Sequence, residues 1–85
     1  MPRVVFTSNL QRHVSCAACD AAGETVSAVL EEVFEREPQI RGYVLDEQGE
    51  LRKHVFVFVD GQRARLSNPV RDASEIYVLQ ALTGG

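Results

Sequence analysis

The sequence predicts an α+β domain in which about five short strands form a sheet and one main helix covers one of its faces. Three observations carry this expectation. The chain has 85 residues, 45% hydrophobic and 25% charged, which suffices for one thin core and burial of roughly 60–65% of the unfolded surface. A single stretch has the apolar spacing of a buried helix, with a cap before it and a proline after it. The other apolar runs are short, rich in β-branched and aromatic residues, and separated by turn formers. One domain spanning residues 1–85 is expected, with little room for a self-contained enzyme pocket or a bound cofactor.

Taken in order, Val4-Val5-Phe6-Thr7 is the first β-rich run and ends at Ser8-Asn9, a pair suited to turns. A second strand is expected around Arg12–Cys16, and Asp20-Ala21-Ala22-Gly23 then breaks the pattern. Thr25 is placed to cap a helix by accepting from first-turn N–H groups. Val26, Val29, Leu30, Val33 and Phe34 follow at the spacings of one buried stripe, with Glu31, Glu32 and Glu35 on the other side. Pro38 keeps Glu37 out of the helical region, so the helix should span about residues 26–36. Arg41–Leu45 and Leu51–Arg52 flank the polar loop Asp46–Glu50. His54–Val59 is the strongest strand, and Asp60-Gly61 supplies the positive-φ pair of a tight hairpin returning through Gln62–Leu66. Asn68-Pro69 marks a turn, and Glu75–Ala81 is the last strand. Gly42, Gly49 and Gly61 are expected as isolated turn or strand glycines.

One helix covers one sheet face, which leaves the other open or available to a partner. Because strand side chains alternate, Val55–Val59 is apolar on both faces. β-branched residues suit the tight sheet–helix layer, so Val57, Val59, Ile76 and Val78 are assigned to the core. Phe56, Phe58, Tyr77 and Leu79 then share the free face, either covered by loops or forming an interaction site.

A formal charge of −3 argues against nucleic acid as a partner, which calls for a clustered basic face. No run approaches the roughly 20 apolar residues needed to cross a bilayer. The first residues, Met1-Pro2-Arg3-Val4, do not resemble a secretory leader. A cytoplasmic protein with no membrane partner is the expectation.

The sequence ends Ala81-Leu82-Thr83-Gly84-Gly85, and no secondary-structure element needs this diglycine. The plain reading is a frayed tail. The functional reading is that Leu82, Thr83 and Gly84 let an extended end thread a narrow slot in another protein, since glycine permits close backbone approach. A terminal carboxylate is an anion at neutral pH and a poor electrophile, so it needs activation before a nucleophile attacks it.

The order of elements and the Ala-Leu-Thr-Gly-Gly ending resemble the sulfur-carrier proteins of the ThiS/MoaD type, over nearly the whole chain. The Thr25-capped helix with its Pro38 stop, Val57-Phe58-Val59-Asp60-Gly61, and Pro69-Val70-Arg71-Asp72 belong to this match. The resemblance implies the ubiquitin-like β-grasp fold with a mixed sheet. It also implies that an E1-like enzyme uses ATP to adenylate Gly85, and that a sulfur donor converts the product to a thiocarboxylate. A sulfur-accepting synthase of the molybdopterin or thiamin type, or of another pathway, then takes the sulfur. The carrier itself catalyses nothing, and the ATP belongs to the partner. Leu79 and Leu82 match apolar docking positions. Where such carriers commonly have Asp-Gly before the last strand, this chain has Asp72-Ala73, so that turn must avoid positive φ.

Cys16-Ala17-Ala18-Cys19 lies outside the general pattern. A redox pair, a metal site with His13 and His54, and a persulfide relay are its sharper readings; reduced thiols at a strand end and loop are the plain one. Two rival functions remain beside the carrier. One is a modifier conjugated to lysines through Gly85. The other is an unconjugated binding module or subunit acting through its sheet face alone.

Overall fold

The computed structural model describes residues 1–7, 10, 11, 14 and 18–81. Seven elements follow along the chain: β1 (Arg3–Phe6), β2 (Ala18–Asp20), α1 (Val26–Arg36), α2 (Pro38–Val44), β3 (Val55–Val59), β4 (Gln62–Ala64) and β5 (Glu75–Gln80). The sheet order is β2-β1-β5-β3-β4. β1 and β5 run parallel at the centre and the other neighbours are antiparallel, so the sheet is mixed, as expected. The second strand departs from the reading. It is the short segment Ala18–Asp20, set by pairing of Val4 with Cys19; of Arg12–Cys16, where it was expected, residues 12, 13, 15 and 16 lie outside the described part.

Alternation divides the sheet as predicted. Val4 and Phe6 of β1, Val55 and Val57 of β3, and Ile76 and Val78 of β5 are buried in one cluster with Val26, Val29, Leu30, Val33 and Phe34 of α1. Val59 is partly buried against the same cluster. Thr25 caps α1 by accepting from the N–H of Ala28 at 3.1 Å. The first-turn N–H groups of Val26 and Ser27 donate to the carbonyls of Asn68 and Leu66 at 2.9 and 2.8 Å. Three of the orphan donors at this terminus are thereby satisfied, and the β4–β5 connection is bound to the helix.

Two expectations need correction here. Pro38 does end α1, with Glu37 at φ −131° and ψ 69°, but it also opens a second helix. A proline in the first helical turn gives up no needed N–H and has its φ preset, so the same residue stops one helix and starts the next. Ile40 and Val44 bury the inner side of α2, and Gly42 is helical rather than a turn or strand residue. Arg41 joins the two helices, with its guanidinium 2.7 Å from Glu31 Oε1 and 5.7 Å from the centroid of the Phe34 ring. The second correction concerns β4, which ends at Ala64 instead of Leu66. The Leu66 carbonyl is taken by Ser27, and the chain turns towards α1.

The hairpin forms as read: Asp60 and Gly61 have φ of 50° and 85°. Asp60 also exchanges bonds with Glu75. Its N–H donates to the Glu75 carbonyl at 2.9 Å, and its Oδ1 accepts from the Glu75 N–H at 3.0 Å. Among the described residues Asp60 is the only non-glycine at positive φ, so the Asp72-Ala73 turn does avoid that region. Ser74 closes this turn by accepting from the Arg71 N–H through Oγ at 2.9 Å.

Candidate functional site

The face of the sheet turned away from the helices is organised by two cross-strand pairs. Phe56 stands opposite Leu79 and Phe58 opposite Tyr77, while Val5 of β1 lies beside Tyr77. The four residues expected on a free face are therefore brought together on it. Tyr77 is 37% exposed, and Phe56, Phe58 and Leu79 are partly buried by one another and by their neighbours. Their strand neighbours Val57, Ile76 and Val78 are fully buried. The division follows from the pleat, which sends alternate residues to opposite faces.

Arg63 borders this face. It pairs with Phe58 across β3 and β4, and its guanidinium carbon sits 4.5 Å from the centroid of the Phe56 ring. At that distance a cation is attracted by the negative face of the ring, which fixes the guanidinium at the rim. The sequence marks Arg63 only as part of the short basic run Arg63-Ala64-Arg65 and does not assign it to this face. The signal available was its place one step after the Asp60-Gly61 turn and Gln62, which puts it on the same face as Phe58.

The last described residue, Ala81, donates its N–H to the carbonyl of His54 at 2.8 Å. The chain thus leaves the sheet beside Phe56 and Leu79. Leu82, Thr83, Gly84 and Gly85 lie outside the described residues, as do His13 and Cys16. Cys19 is partly buried on the helix side, beside Phe6, Val33, Arg36 and Glu37, and so is separated from the apolar face by the sheet. His54 is exposed in the turn before β3. Among the described residues no group of three or more His, Cys, Asp or Glu side chains is arranged to hold a metal ion. None of the described helices is long and apolar enough to cross a membrane.

A groove of about 730 Å³ lies beneath the β4 edge, between the Gly49–Leu51 segment and Arg63–Ser67. It was not legible in the sequence, because it results from the early end of β4.

This architecture defines a ubiquitin-like β-grasp protein. Solved structures share it closely. The CysO/BexX complex of Amycolatopsis orientalis matches with a TM-score of 0.88 at 23% identity, covering 100% of both chains. SAMP1 from Haloferax volcanii matches at 0.86 and 22% identity, over 99% of this chain and 98% of that one. CysO from Mycobacterium tuberculosis matches at 0.84 and 20% identity, over 96% and 100%. No curated protein sequence matches the chain. The ThiS family profile matches residues 10–85, and the chain belongs to the ThiS family.

Proposed function

We infer that this protein is a sulfur carrier in which the sheet face docks partners and Gly85 bears the sulfur. The observation that carries the reading is the continuity between the two parts. Phe56, Phe58, Tyr77 and Leu79 form one apolar face, and the chain leaves that face at Ala81, four residues before Gly85. Fully extended, four residues reach about 13 Å, enough to enter an active site of a protein seated on the face. Glycines at the end place no side chain in the slot.

A carboxylate oxygen of Gly85 attacks the α-phosphorus of ATP on an E1-like partner, and pyrophosphate leaves. The carboxylate has become a mixed anhydride, and its carbonyl carbon is now electrophilic. A hydrosulfide equivalent from a sulfur donor attacks that carbon and AMP leaves, giving the thiocarboxylate. Its sulfur then attacks an electrophilic carbon held by a sulfur-accepting synthase, in molybdopterin-type, thiamin-type or other metabolite biosynthesis in the cytoplasm, and displaces that carbon's leaving group. Water cleaves the resulting thioester, leaving the sulfur on the acceptor and restoring the Gly85 carboxylate. Catalytic groups and ATP belong to the partners throughout. The ThiS membership supports this reading, as does the fold shared with CysO in its complex with BexX.

Likeness to small archaeal modifier protein 1 of Methanosarcina acetivorans, at a TM-score of 0.86 and 22% identity, favours a second reading. The same activated Gly85 would then be attacked by a lysine amine, forming an isopeptide bond. Deletion of Gly84 and Gly85 tests the tail, with the expectation that sulfur delivery is abolished while the fold persists. Unchanged delivery by the truncated chain would leave only the unconjugated binding module. Lysine-linked conjugates in cells, with no thiocarboxylate, would establish the modifier instead.

A further inference from the structure

The groove beneath β4 differs in kind from the apolar face beside it. In the β3–β4 register Val57 lies opposite Ala64, so a continuing β4 would set Leu66 opposite Val55. The chain instead turns towards α1, and the edge of β3 at Val55 is left open. Val55, Val57 and Leu66 line the groove, while Glu50, Arg63 and Arg65 are its charged lining residues. Arg63 and Arg65 are exposed, and neither has a carboxylate within ion-pairing distance among the described residues. Arg36 and Arg41, by contrast, are held by Glu32 and Glu31.

This local surplus of positive charge occurs on a chain of net charge −3. Lys53, also exposed, lies in the turn whose His54 carbonyl holds Ala81. Arg63 lies on the edge strand β4 and Arg65 just beyond its end, and Glu50 is the one acidic residue of the groove lining. Phe56 lines the groove and also belongs to the apolar face, with Arg63 stacked on it, so one partner can cover both.

We propose that the activating enzyme presents an acidic strip carrying an apolar side chain to this groove. Carboxylates of the strip meet Arg63 and Arg65, and the apolar side chain rests on Leu51, Phe56 and Leu66, the partly exposed apolar residues of the lining. The inference rests on the carrier reading and assigns its first partner a surface chemistry. Opposite charge across such a contact raises the rate of encounter and selects its orientation. Here the favoured orientation is the one that brings the tail root to the enzyme first.

The test measures ATP-dependent pyrophosphate release by the purified ThiS-type activating enzyme of the same organism, at varied carrier concentration and salt. The variants are Arg63→Gln/Arg65→Gln, Arg63→Lys/Arg65→Lys, and Arg3→Gln as a charge control on β1. Circular dichroism establishes that each is folded. The expected result is a KM at least tenfold higher for the double glutamine variant with kcat within twofold, and a flatter salt dependence. The lysine variant should recover most of the loss, and Arg3→Gln should stay near wild type. A KM within twofold of wild type for the glutamine variant overturns the proposal while leaving the carrier reading standing. So does a wild-type dimer that this variant alone disrupts with KM unchanged, since the groove would then hold a second copy. Failure of the enzyme to adenylate the wild-type chain overturns the carrier reading and this inference with it.

Discussion

The backbone N–H of Ala81 and the carbonyl of His54 meet at 2.8 Å, and this bond sets the point at which the chain departs from the sheet. It extends the β3–β5 ladder one step beyond Gln80, which pairs with Val55. Substitution of Ala81 by proline removes the donor without touching a buried side chain. A loss of about 1 kcal/mol in urea denaturation is expected, the usual net worth of one such bond. Adenylation should fall further than stability, because the tail then starts from a less defined root. Wild-type adenylation kinetics in this variant would show that the root needs no fixing.

The apolar face and the core respond differently to charge. Phe58→Glu and Leu79→Glu should each cost about 1 kcal/mol in stability, as partly exposed positions do, and weaken partner binding at least tenfold. Val57→Asp buries a carboxylate beside Val78 in the core cluster and should unfold the chain, since an unpaired buried charge has no compensation. Thermal denaturation followed by titration calorimetry with the activating enzyme separates the two classes. Unfolding of the Phe58 and Leu79 variants would place those side chains in the core.

Gly23 is confined by its neighbours. A Cβ built there would lie 2.6 Å from the backbone nitrogen of Val29 and 2.8 Å from its Cγ2. Backbone on one side and a fully buried valine on the other leave nothing to yield easily. Gly23→Ala should therefore destabilise the fold by about 1–3 kcal/mol, read as a lower urea midpoint with the same slope. An unchanged midpoint would mean that the β2–α1 connection shifts freely.

Cys19 faces α1 on the side of the sheet opposite the apolar face. Replacement of Cys16 and Cys19 by serine should leave sulfur loading within about twofold of wild type, an effect well under the 1.4 kcal/mol that a tenfold change represents. Loading assays with purified partners check this, and loss of loading would assign the thiols a part in the relay.

How much of this was legible in the sequence depends on the range of the interaction that decides each element. α1 was readable because its cap, stripe and stop all lie within fourteen residues, from Thr25 to Pro38. The Asp60-Gly61 hairpin and the alternation along β3 and β5 are equally local. α2 was missed because Pro38 was read as a stop alone, although Ile40 and Val44 lie four apart, as one helix face requires. The end of β4 depends on a bond between Leu66 and Ser27, 39 positions apart, and nothing near Leu66 announces it. The site divided in the same way. Its apolar residues followed from the pleat, whereas Arg63 over Phe56 and the groove below appeared only once β4 had been placed against β3.

The central claim is that Gly85 becomes a thiocarboxylate, and intact-protein mass spectrometry tests it most directly. After incubation with the activating enzyme, ATP and a sulfur donor, the chain should gain the mass difference of one sulfur replacing one oxygen, localised to its C-terminal peptide. An unmodified mass, with an enzyme shown to load its own carrier, would contradict the account.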